Sequence, residues 1–348
     1  MNYIGSKLSL INFIDDTITS KVKINNDPSN LVFCDIFSGT GILAKHFKEK
    51  GLSIIANDIQ YYSFVRINHL IKNNKILQFK NLPYDPFEYL NNIPEKKGFI
   101  YNNYSEGGTI KNEFIRLYFT DKNAMKIDAI RMQIELRYSQ RLINLDEYYF
   151  LIASLLESSD KVANTASVYE AYLKKIKPSA NKELIITPLE SVISNKKATY
   201  EVYNEDSNNL IESIKGDILY LDPPYNTRKY NTNYHMLETI ALYDNPEIKG
   251  KTGIRVDDNK KSNYSLKRKA KTALEELIEK ANFKYIFLSY NNEGIIPFDE
   301  IERIFKKYGE YSIESTKYKR FKSNKGEKTN MKKGEVVEFV HCLKKWEK

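Results

Sequence analysis

Asn30-Leu31-Val32-Phe33-Cys34-Asp35-Ile36-Phe37-Ser38-Gly39-Thr40-Gly41 is the stretch from which the fold can be read. A short run of apolar, β-branched and aromatic residues ends in a Ser-Gly-Thr-Gly cluster, the pattern of a buried strand delivered into a tight turn. Ile42 to Lys50 carries helical spacing and stops at Gly51, and Leu52 to Ala56 is a second apolar run that ends at Asn57-Asp58. Strand, helix, strand in that order predicts a parallel pair within an α/β sheet. Further strands are expected at Thr199 to Tyr203, Asp217 to Leu221 and Tyr285 to Leu288, so the sheet is split along the chain. Pro297 to Lys307 reads as a helix closed by Gly309, and Glu335 to Leu343 as a final strand.

Between the two groups of strands the periodicity becomes helical. Ile127, Ile130 and Ile134 form one stripe, and Leu151, Leu155 and Leu156 another, which predicts an inserted, mainly helical subdomain. The expected organisation is a core in residues 1–78, an insertion at 79–193, and the rest of the core at 194–348. Gly98 to Thr120, rich in Tyr, Asn and Gly, reads as loops. The insertion carries its own basic positions, among them Arg116 and Arg131.

The chain has 348 residues, 41% of them apolar and 28% charged, which fits a folded protein and excludes wholesale disorder. No stretch approaches the roughly 18 apolar residues of a membrane span, and Met1 to Ile11 lacks the layout of a signal peptide, so a cytosolic protein is expected. Cys34 and Cys342 sit far apart in apolar runs with no metal-ligand spacing, which predicts buried thiols and no metal. The net charge of +9 is unevenly spread. Lys249 to Lys271 holds nine Lys/Arg against two Asp, and Thr316 to Lys333 eight against one Glu, so each segment carries +7 and the remainder −5. Two basic segments on a slightly acidic body suit a phosphate backbone, although charge alone fits a solvated lysine-rich loop as well.

Gly39, Gly41 and Ala44 fit G-x-G-x-x-A after a strand, and Asp58 follows where a carboxylate can accept from ribose hydroxyls. A nicotinamide cofactor, an adenosyl cofactor and a plain structural turn all satisfy this motif. Leu219-Tyr220-Leu221-Asp222-Pro223-Pro224-Tyr225 discriminates further. Two prolines stop the strand, fix the loop and offer carbonyl acceptors without competing N–H donors. Asp222 and a neighbouring carbonyl can then accept from an exocyclic amino group while Tyr225 stacks on the ring that bears it.

With these motifs in place the sequence resembles the Dam-like, D12 class of DNA adenine N6-methyltransferases. Four blocks occur in that family's order: Asn2-Tyr3-Ile4-Gly5-Ser6-Lys7; Asp35-Ile36-Phe37-Ser38-Gly39-Thr40-Gly41 with Asn57-Asp58; Asp222-Pro223-Pro224-Tyr225; and Phe287-Leu288-Ser289-Tyr290-Asn291. Asn226-Thr227-Arg228-Lys229-Tyr230, Asn233-Tyr234-His235 and Ala163-Asn164-Thr165 look closer to the FokI-type modification methylases. The resemblance implies a Rossmann-like sheet, with the insertion as target recognition domain and S-adenosylmethionine as cofactor. It places Tyr3, Lys7, Asp35, Phe37, Gly39, Gly41, Asn57, Asp58, Asp206 and Asp222 against that cofactor. It makes Asp222, Pro223, Pro224 and Tyr225 the catalytic loop, and Asn226, Arg228, Tyr230, Arg116 and Arg131 contacts to DNA.

The implied reaction is transfer of a methyl group to adenine N6 in duplex DNA, with the base rotated out of the stack. The nitrogen is a poor nucleophile because its lone pair is delocalised, so the protein's work is alignment and hydrogen bonding rather than covalent catalysis. No role as general base is assigned to His235, because the methylated amine is acidic enough to lose its proton to solvent or Asp222. The expected setting is a monomer in the bacterial cytosol or nucleoid. It would be the modification half of a restriction–modification pair, sharing its site with an endonuclease without forming a stable complex. The alternatives are an RNA base methyltransferase, guanine-N2 or adenine, and a catalytically silent nucleic-acid-binding protein on the same fold.

Overall fold

The run at 30–37 forms strand β1 (Val32–Asp35), and Ser53–Asn57 forms β2, aligned parallel to it with Val32 opposite Ser53 and Asp35 opposite Ala56. The structure, a computed structural model, describes residues 7–24, 27–226, 230–256, 262–318 and 336–346. Further along the chain come β3 (Tyr200–Tyr203), β4 (Lys215–Leu221), β5 (Ile248–Lys249), β6 (Ile254–Arg255), β7 (Asn282–Asn291), β8 (Gly309–Tyr318) and β9 (Val336–Lys345). Seven of these make one sheet in the order β3-β2-β1-β4-β7-β9-β8. The first five are parallel, and β9 runs antiparallel to both β7 and β8. The architecture is the α/β, Rossmann-like class expected from the sequence.

Burial explains the strands' composition. Cys34, Ile36, Leu219, Leu221, Ile286 and Leu288 share one buried face, closed by Leu274, Leu277, Ile301, Ile304 and Phe305 from helices Ala270–Lys280 and Phe298–Tyr308. On the other face Phe33 stacks on Phe47 of helix Ile42–Glu49 at 4.2 Å between ring centroids. Both cysteines are buried and free. Among the described residues no helix is long and apolar enough to cross a membrane, and no group of His, Cys, Asp and Glu could hold a metal ion.

The chain divides into two compact units. One consists of Gly5–Asn74, Val192–Lys229 and Lys260–Lys348 and contains the large sheet. The other, built mainly from Lys75–Ser191 and Tyr230–Asn259, holds the helices Asp121–Ser139 and Leu145–Lys161, whose predicted Ile and Leu stripes are buried, and the small β5/β6 hairpin. Tyr230–Asn259, expected with the core, falls in this helical unit, where Tyr243 donates to Asp128 at 2.7 Å.

Two expectations about local structure need correction. Gly98 to Thr120 is not all loop, because Phe99–Tyr104 and Glu106–Thr109 are helical. The Asp128 carboxylate supplies the missing cap from far along the chain, accepting the N–H groups of Gly98, Ile100 and Tyr101 at 2.8–2.9 Å. Gly309 does not merely close a helix. It opens β8, an edge strand whose largely polar and charged composition disguises it.

Candidate active site

β1 and β4 lie side by side with Asp35 opposite Tyr220, so the glycine turn and the D-P-P-Y loop leave neighbouring strands at the same edge of the sheet. The chain continues from β1 outward to β2 and β3, then returns to β4 and proceeds to β7 on the other side. A parallel sheet opens a ligand crevice where the winding reverses in this way.

The glycine turn is held by acids and amides. Gly39 and Gly41 have φ of +51° and +73°, which L side chains rarely adopt, and a Cβ on Gly41 would stand 2.8 Å from Ile67 Cγ2. Asp58 accepts the N–H of Gly39 through Oδ2 and that of Gln60 through Oδ1, both at 2.8 Å. Asn57 donates to the carbonyls of Ile36 and Glu205 and accepts the N–H of Glu205. The end of β2 thus fastens the turn that the end of β1 begins. Asp35, 2% exposed, accepts the N–H groups of Phe37 and Ala44, while its Oδ1 is buried with no partner among the described residues. Burial, with Asp222 and Asp58 nearby, pushes its carboxyl up to about 8. Phe37 meets the edge of Tyr264 at 5.1 Å.

At the β4 corner, Pro223 is buried and Asp222, Pro224, Tyr225 and Asn226 are partly exposed. Lys7 Nζ lies 3.0 Å from Asp222 Oδ1 and 3.0 Å from Glu338 of β9, and 5.7 Å from the Tyr225 ring centroid. Burial raises the Asp222 carboxyl to about 6 against the opposing pull of Lys7. The Tyr225 carbonyl accepts the N–H of Ile295, and its ring meets the edge of Tyr290 at 6.1 Å. A stiff loop therefore presents a carboxylate and an aromatic face with a buried ammonium behind them.

The expected residues fare differently. Asp35, Phe37, Gly39, Gly41, Asn57 and Asp58 cluster at the glycine turn, and Lys7 is brought to Asp222. Asp206 caps the short helix Ser207–Leu210, accepting from Asn208 and Asn209. Tyr3, Arg228 and the Tyr230 side chain lie outside the described residues.

Arg116 and Arg131 require correction as DNA contacts, for both are buried and spent on acceptors of the protein itself. Arg116 donates to Asn103, Gly250 and Lys251, and Arg131 to Ile240, Ala241, Glu135 and the Tyr148 hydroxyl. His235 is also buried, its Nε2 2.9 Å from the Tyr169 carbonyl, and burial lowers it to about 4. Sequence reasoning assigns no role to Glu338, Ser289, Tyr290 or Tyr264. A signal for Glu338 is nonetheless present, since a lone acid inside Val336-Val337-Glu338-Phe339-Val340 must find a partner if the strand is buried.

Comparison with known proteins identifies a family. The family described as D12 class N6 adenine-specific DNA methyltransferase matches residues 3–304. The type II methyltransferase M.NlaIII of Neisseria lactamica is 45% identical over 346 residues, 99% of this chain and 99% of that protein. The type II methyltransferase M.FokI of Planomicrobium okeanokoites is 40% identical over 99% of this chain and 53% of its own length. The modification methylase LlaI of Lactococcus lactis subsp. lactis is 37% identical over 93% of this chain and 52% of its own. The chain therefore spans 99% of the first relative and about half of the other two. No solved structure matches.

Proposed function

The chain belongs to the D12 class of N6 adenine-specific DNA methyltransferases, and on that footing we propose that it methylates a flipped adenine by direct transfer, as the modification enzyme of a restriction–modification system. The observation that carries the proposed chemistry is the Asp222 carboxylate. It is fixed by two prolines at the end of β4, faced by Lys7, and set beside the glycine turn of β1.

The cofactor proposed is S-adenosylmethionine. The residues fit a cationic, nucleoside-bearing guest, because the buried Asp35 Oδ1 lacks a partner among the described residues and Asp58 and Asp222 add negative charge around it. Asp35, Phe37, Gly39, Gly41, Asn57, Asp58 and, at the adenine end, Asp206 would hold it. Bound there, it supplies a methyl group already activated on a sulfonium.

The chain's own residues do the rest. Asp222 accepts one N–H of the adenine amino group, the Asp222 or Pro223 carbonyl accepts the other, and together they orient its nitrogen. Tyr225, braced by Tyr290, stacks on the everted base in place of its former neighbours. The proton of the methylated amine passes to Asp222 or solvent. Base recognition is proposed for the helical unit, excluding Arg116 and Arg131, and Asn226, Arg228 and Tyr230 are proposed as contacts to DNA. A monomer in the bacterial cytosol, with a cognate endonuclease acting separately on the same site, completes the proposal.

The test compares incorporation of labelled methyl from S-adenosylmethionine into duplex DNA and into ribosomal RNA. N6-methyladenine in DNA and none in RNA is expected. Methylation confined to RNA would overturn the reading.

A further inference from the structure

The apolar run that opens β9, Val336 to Val340, is interrupted by one acid, Glu338, which lies opposite Asn291 of β7 and is 1% exposed. Stripping a carboxylate of water costs on the order of several kcal/mol unless charged and polar partners replace the water. Both replacements converge on Oε1: Lys7 Nζ at 3.0 Å, and the Ser289 hydroxyl, which donates at 2.8 Å. Oε2 has no partner among the described residues. The same ammonium, 6% exposed, lies 3.0 Å from Asp222. One buried cation thus stands between two carboxylates, one at the catalytic corner and one behind it. A valine would suit the strand position of Glu338 without any of this cost, so packing alone does not explain the acid.

We propose that Glu338, held by Ser289, is a positioning residue that fixes the Lys7 ammonium against Asp222 and shares its charge, leaving Asp222 a strong acceptor for the adenine amino group. The proposal rests on the role of Asp222 given above. A carboxylate paired privately with an ammonium is a weak base and a weak acceptor; one that shares its ammonium keeps more of its basicity. The other groups facing Asp222 are Asp35 from β1, Tyr220 from β4 itself and Tyr225 from the loop. Glu338 and burial both push the Asp222 carboxyl up, and Lys7 draws it down. The measurable quantity is the acid limb of turnover.

The experiment measures kcat and KM between about pH 5 and 9 for the full-length enzyme and for Glu338→Gln, Glu338→Asp and Ser289→Ala. Gln keeps an oxygen for Lys7 but removes the charge. Its acid limb is expected to move down by about one pH unit and its plateau kcat to fall roughly tenfold, with KM for DNA and cofactor within about twofold. Asp keeps the charge and is expected to keep the wild-type limb. A Gln limb that coincides with the wild type, or lies above it, overturns the proposal whatever the plateau. Should the Gln variant not fold, Ser289→Ala decides. A kcat lowered about threefold or more at unchanged KM and melting temperature supports the proposal, and a wild-type kcat overturns it. Full activity in Asp222→Ala would instead remove the reading beneath it.

Discussion

Asp222 and Asp35 are both acids pushed upward by burial, and the roles proposed for them predict different responses to pH. If Asp222 must be ionised to accept from adenine, kcat falls on the acid side of about 6, by a factor approaching ten for each further pH unit. Rates in single turnover against pH check this, and a flat profile down to about pH 5 contradicts it. Asp35 has a folded value of about 8 against 3.8 for an unperturbed aspartate. A raised value gives stability that is complete below the unfolded pKa and lost as pH rises through the folded one. Asp35→Asn cannot ionise, so its melting temperature in cofactor-free protein should gain on the wild type as pH rises from about 5 to 8, while its cofactor affinity falls. A difference independent of pH would show that Asp35 is not the buried, protonated acid described.

At the scale of elements, the glycine turn is limited by geometry and the helical unit by its buried guanidinium groups. Gly41→Ala combines an unfavourable φ with a 2.8 Å approach to Ile67, and should cost about 1–3 kcal/mol in urea unfolding. Arg116→Ala leaves three carbonyls without a buried donor and should cost about 2–4 kcal/mol with no change in the salt dependence of DNA binding. A lowered salt slope with unchanged stability would return Arg116 to the DNA surface. These elements also show what the sequence can reveal. The β1 turn, β2 and the corner after β4 are legible because their signals are local: apolar runs, αL glycines and paired prolines. The helix at Phe99–Tyr104 is not, since its cap comes from Asp128, 29 residues beyond its first residue. β8 escapes because an edge strand shows little apolar alternation, and Glu338 because its partner Lys7 lies at the other end of the chain.

For the whole molecule, charge and catalysis can be separated. Lys267, Arg268 and Lys269 are exposed just ahead of helix Ala270–Lys280 and belong to one of the two basic segments. Replacing all three with Ala should reduce the slope of log affinity against log salt by about 0.9 for each phosphate that is no longer neutralised, with kcat at saturating DNA retained. The second segment, Thr316 to Lys333, lies largely outside the described residues. The corner at Asp222, beside the glycine turn, is proposed to grip adenine for methylation. The most direct test is nucleoside analysis of duplex DNA incubated with labelled S-adenosylmethionine and either wild-type protein or Asp222→Ala of equal melting temperature. Labelled N6-methyladenine is expected with the wild type and none above background with the variant. Equal labelling by both, or label on any other base, would contradict it.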